Sequence, residues 1–97
     1  MRFKMSEDVC ILLSGIYPII KINASKGHCI YCEYDSEVAE SLDMKCAIAL
    51  MATEGIHTEI YYIEDFEGGY YLIKIRWERP AEEIIDFIDK WTKKYRR

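Results

Sequence analysis

From Ile16 to Ala24 the apolar residues Ile20, Ile22 and Ala24 alternate with Lys21 and Asn23, the period of a strand buried on one face. A second run of strand character, His28 to Tyr34, follows directly after Ser25, Lys26 and Gly27. A three-residue loop with Gly27 in the left-handed conformation joins the two runs as a hairpin. In that register Ala24 faces His28, Ile22 faces Ile30 and Ile20 faces Cys32, so one face is apolar throughout. Ahead of it, Ser6 is placed to cap a short helix ending near Leu13, with Glu7 and Asp8 in its first turn and Gly15 as its stop; a strand is the competing assignment.

Asp35 or Ser36 is the next cap, opening a long helix over SEVAESLDMKCAIALMATEG. Its half from Cys46 to Ala52 is apolar all round, as in a helix covered on most sides, and Gly55 is its stop. His57–Asp65 and Gly69–Glu78 then alternate as a second hairpin across FEGG. A two-residue loop Glu67-Gly68 pairs Tyr62 with Ile73, Ile60 with Ile75 and Thr58 with Trp77 inside, and Tyr61 with Lys74, Glu59 with Arg76 and His57 with Glu78 outside. Pro80 opens the last helix, whose Ile84, Ile88, Trp91 and Tyr95 form a buried stripe widened by Ile85 and Phe87. The order (α)ββαββα predicts an α+β two-layer sandwich: a four-stranded, mostly antiparallel sheet with helices on one face, in a single domain spanning 1–97.

With the stretch EIYYIEDFEGGYYLIKI, this element order resembles that of the roadblock and longin-like dimerisation modules, in which a long helix lies between two groups of antiparallel strands. A roadblock domain has a further strand before its final helix, which this chain lacks.

Composition narrows the picture. Ninety-seven residues at 51% hydrophobic and 13% aromatic supply one core and exclude disorder. The net charge of −4 weighs against a constitutive nucleic-acid binder, whose affinity comes largely from neutralising phosphates. Glutamine is absent and Asn23 is the one asparagine, a composition like that of proteins selected at high temperature. Arg2 and Lys4 before VCILLSGIYPII suggest a signal peptide, but Glu7 and Asp8 intervene and Ser14, Gly15 and Pro18 interrupt the run. The run is also too short to span a bilayer. The expectation is a soluble cytoplasmic protein, with no membrane partner and with reduced thiols.

GHCIYCEYD, Gly27 to Asp35, places two cysteines three apart beside a histidine, which raises a structural zinc or redox site at Cys29 and Cys32. On a strand, residues i and i+3 point to opposite faces with Cα atoms about 10 Å apart, and neither Cys10 nor Cys46 supplies a second ligand pair. The expected reading is ordinary strand cysteines, Cys32 inside and Cys29 outside, with no metal or cofactor. His28 and His57 belong to no recognisable triad, so no catalytic residue is assigned. Glu64, Asp65 and Glu67 read as a solvated turn rather than a cation loop. The basic tail KWTKKYRR complements its own helix dipole.

The informative surface is the outer face of the sheet. The registers place Ile19, Lys21, Cys29, Tyr31, Tyr61, Ile63, Tyr70, Leu72, Lys74 and Arg76 there, more apolar than a solvated face requires. Tyr31, Tyr61, Ile63, Tyr70, Leu72, Lys74 and Arg76 are the candidate partner-binding residues. The leading expectation is a non-catalytic protein-interaction module that self-associates, as a dimer, through this face or an edge strand. The alternative is single-stranded nucleic acid stacked on the tyrosines beside Lys74 and Arg76, which Glu33, Glu59 and the net charge disfavour.

Overall fold

A computed structural model describes residues 6–27 and 29–95. Its elements are α1 (Glu7–Asn23), β1 (Cys29–Tyr34), α2 (Ser36–Ala39), α3 (Leu42–Thr53), β2 (Ile56–Asp65), β3 (Gly68–Trp77) and α4 (Ala81–Tyr95). The sheet has three strands in the order β1-β3-β2, all antiparallel, and not the four that alternation suggested. The element order is therefore αβααββα, and the first expected hairpin does not form.

The segment that alternates is the second half of α1. Ser6 caps the helix as expected, its hydroxyl accepting from the Val9 amide at 3.2 Å. The helix then runs through Gly15 and Pro18 because Val9, Leu13, Ile16, Tyr17 and Ile20 are all buried. Their spacing is that of one helical stripe. Ile20 and Ala24, four apart, satisfy a period of two and a period of 3.6 equally; only Ile22 separates them, and it is 64% exposed. Gly15 lies inside the helix without a positive φ, so it ends nothing, and Pro18 removes one amide donor from a helix whose flanking turns are both held by burial. Gly27 is not left-handed. The pairing proposed for Ala24 with His28 lies outside the described residues, as do Arg96 and Arg97 of the basic tail.

β1 pairs instead with the far strand, Ile30 opposite Ile75, Cys32 opposite Ile73 and Tyr34 opposite Tyr71. It supplies the third strand that an isolated hairpin needs for independent stability. Since among the described residues β1 is the one strand before the middle helices, the element order behind the resemblance to roadblock and longin-like modules does not occur there.

The expected long middle helix is divided at Glu40 and Ser41. Asp35 caps α2, accepting from the Val38 amide at 2.9 Å. Ser41 then acts as a second cap: its hydroxyl accepts from the Met44 amide at 3.1 Å and donates to the Val38 carbonyl at 2.7 Å. Met44, Ala47 and Met51 form the buried stripe of α3, while Ala49 and Ala52 face solvent, so this helix is not covered all round. Gly55 ends it as expected, with φ of 75°, and the buried Ile56 follows.

The β2–β3 hairpin exists, with its register two residues from the expected one. Asp65 pairs with Gly68 across the loop Phe66-Glu67, so Ile56 faces Trp77, Thr58 faces Ile75, Ile60 faces Ile73 and Tyr62 faces Tyr71. Asp65 sets the turn by accepting from the Glu67 amide at 2.9 Å, and Gly68 takes φ of 120°. A slip of two leaves every side chain on its own face, so alternation cannot detect it; the turn decides. Ile30, Ile56, Ile73, Ile75 and Trp77 on the inner face form one core with α1, α3 and the stripe Ile84, Ile88 and Trp91 of α4. Tyr95, expected to close that stripe, remains over a third exposed. Among the described residues no helix is long and apolar enough to cross a membrane.

Candidate interaction surface

Side chains of the outer face form rows across the three strands. Glu33, Leu72 and Tyr61 make one row; Tyr31, Lys74 and Glu59 the next; Cys29, Arg76 and His57 the third; Tyr70 and Ile63 extend the face toward the hairpin tip. All seven candidate residues thus share one surface. Tyr31 (56% exposed) and Tyr61 are open to solvent, while Ile63, Tyr70 and Leu72 are half-buried by their neighbours alone. Ile19 and Lys21, assigned to this face from the alternation, lie on α1 instead, where Lys21 pairs with Asp89 of α4. Because the sheet lacks the fourth strand, the face is narrower than expected.

Charge on this face is balanced. Glu59 stands directly opposite Lys74 and accepts from the Tyr61 hydroxyl. Arg76 reaches it diagonally, Nε to Oε1 at 3.6 Å, and also meets Glu78 at 3.2 Å. The expected Glu59–Arg76 attraction is therefore present as a diagonal, whereas His57 faces Arg76 rather than Glu78. The Tyr61 hydroxyl, with Lys74 and Arg76 adding to it, holds the Glu59 carboxyl below the usual range, and the same hydrogen bond raises the Tyr61 phenol.

The four cysteines are free thiols. Cys29 is exposed on the outer face while Cys32 lies half-buried on the inner one, where burial pushes its thiol up. Strand alternation therefore holds the two sulfurs on opposite sides of the sheet, an arrangement that serves neither one metal ion nor a disulfide.

Comparison of the chain with protein-family models, with curated proteins and with solved structures gives no match.

Two features escaped the sequence. Along β2 toward the turn the inner face is also uncovered: Ile60 (46% exposed), Tyr62 (54%) and Phe66, the last wholly exposed, stand open to solvent. β2 is an edge strand, and Ile73, the partner of Ile60 on the central strand β3, is buried. Strand order is a long-range property, so alternation gave no sign of this difference. Tyr62 packs its ring against Tyr71 at 5.2 Å and lies over Gly69, where any side chain would collide with it. Tyr71 in turn donates to Glu40 at 2.5 Å, which raises its phenol. The second feature is a cleft between α1, α3 and α4, which no local pattern announces because it depends on how three helices pack.

Proposed function

We propose that this protein is a non-catalytic interaction module that self-associates as a dimer through the outer face of its sheet. The reading is carried by one observation: an apolar and aromatic surface crosses all three strands, and among the described residues no element covers it. A second copy is favoured over nucleic acid by charge. Glu33 and Glu59 share the face with Lys74 and Arg76, so a two-fold axis lets the acids of one copy meet the bases of the other. Arg76 is already engaged by Glu59 and Glu78, which leaves little excess positive charge for phosphates.

Strand rise and spacing give this face a projected area of about 400 Å². That is below the roughly 800 Å² that each partner contributes to a standard interface. The dimer should accordingly be weak, with dissociation in the micromolar range, and the exposed hairpin arm adds contact area beside it. Sedimentation across low to high micromolar protein checks this: the average mass should rise toward two chains, and Tyr61→Glu should hold it at one. A mass that stays at one chain at high micromolar concentration would sink the reading. Salt-sensitive oligonucleotide binding on the same face would instead favour nucleic acid.

A further inference from the structure

The cleft between α1, α3 and α4 has a volume of about 290 Å³ and is lined by residues of these three helices and by Glu54 at the end of α3. Small-molecule sites run from about 300 to 1,000 Å³, so this one suits a compound of one or two rings. Its wall is aromatic. Tyr17 packs edge-to-face on Phe87, with ring centres 5.5 Å apart at 80°, and on Trp91, at 4.9 Å and 86°. Trp91 continues to Tyr95 at 5.4 Å. Interlocked rings of this kind cannot reorient independently, so the wall is formed before any ligand arrives.

The indole N–H groups of Trp91 and Trp77 are both sealed from solvent without an acceptor, so neither is open to a ligand, and the polar signal lies at the rim of the cleft. Charge at the rim is tilted toward cations. Glu54 is engaged by Arg79 at 3.3 Å and Lys90 by Asp86 at 2.9 Å, whereas Lys94 meets no carboxylate among the described residues and sits 5.2 Å from the centre of the Tyr95 ring. An anion is what this set lacks.

We infer that the cleft binds a small planar aromatic carboxylate, its ring against Tyr17, Phe87 and Trp91, and its carboxylate supplying countercharge to Lys94. The site lies on the helical layer and takes no residue from the outer sheet face, so it is independent of self-association.

2-Naphthoate is the probe, titrated into the isotopically labelled full chain while the two indole N–H signals are followed by NMR, with Trp91→Phe assigning them. The Trp91 signal should shift saturably with a midpoint below about 1 mM, while that of Trp77, on strand β3 away from the cleft, stays in place. Lys94→Glu, at an exposed position that does not threaten folding, should weaken binding by about fivefold, and the uncharged analogue 2-naphthol should bind the native chain more weakly. The same shift should persist with Tyr61→Glu, which separates this site from the dimer. A Trp91 signal that does not move in a folded chain would overturn the site. Equal affinity for 2-naphthoate and 2-naphthol, or no effect of Lys94→Glu, would overturn the anion preference.

Discussion

The two halves of the β2–β3 hairpin are built from the same residue types with the same alternation, yet they live in different solvents. Near its open end Ile56, Ile73, Ile75 and Trp77 are sealed under the helices. Toward the turn Ile60, Tyr62 and Phe66, with Tyr61 on the other side, stand in water. The contrast comes from position rather than chemistry: Ile73 and Ile60 are direct cross-strand partners, but Ile73 lies on the central strand β3 and Ile60 on the edge strand β2. Alternation thus reports which face a residue is on, while burial depends on whether anything is packed over that face.

The largest test of this contrast is a pair of truncations. Ile75→Ala, in the sealed half, should cost about 3 kcal/mol, whereas Ile60→Ala, in the open half, should cost less than about 1 kcal/mol. Denaturant unfolding measured at low micromolar concentration checks both. If Ile60→Ala proved as costly as Ile75→Ala, the arm would be covered in solution and the contrast would fail.

A smaller effect separates the tyrosines by cause. Burial, with the Cys32 thiol second, pushes the Tyr34 phenol up to about 12, and burial with the Glu54 carboxylate raises Tyr17 as well. Their folded values lie above the ordinary value of about 10, so the stability they contribute is complete below that pH and is lost as pH rises through the folded values. Unfolding midpoints should fall from about pH 10 upward, and Tyr34→Phe should flatten the decline. Tyr61 is raised by its hydrogen bond to Glu59 instead, so Glu59→Gln should return Tyr61 to an ordinary titration and leave Tyr34 untouched. Phenolate absorbance distinguishes these outcomes, and a Tyr34 that titrates together with the exposed tyrosines would contradict its burial.

The smallest effect is on the acid side of the same pair. Glu59 titrates below the ordinary glutamate range in the folded chain. Its contribution is present above the unfolded value of about 4.3 and fades as pH falls through the lower folded one. Tyr61→Phe should raise Glu59 toward the ordinary value, as read from its carboxyl carbon by NMR. No movement would mean that Lys74 and Arg76, rather than the phenol, set the shift.

Much of the molecule was legible in local chemistry. Ser6, Asp35, Gly55 and Pro80 mark element ends through hydrogen bonds, dihedral preferences or a missing donor, each confined to a few residues. The faces of β1, β2 and β3 follow from a period of two, and with them the grouping of Tyr31, Tyr61, Ile63, Tyr70, Leu72, Lys74 and Arg76. Ser41 as a second cap was also visible, since Asp43 stands in the turn it opens, but the apolar run after it masked the break.

Alone, the sequence determined which residues of β1, β2 and β3 share a face and where several elements start and stop, because side-chain direction and capping are set within a few bonds. Tertiary structure decided the rest. Ile16 to Asn23 is helical because the stripe from Val9 to Ile20 finds α3, α4 and the sheet to pack against, a choice that five ambiguous residues cannot make. The hairpin register was left to the turn, since a slip of two preserves every face. What remains uncovered, on the outer face and along the arm, was set by how far three helices reach across three strands, a distance that belongs to the whole chain and to no segment of it.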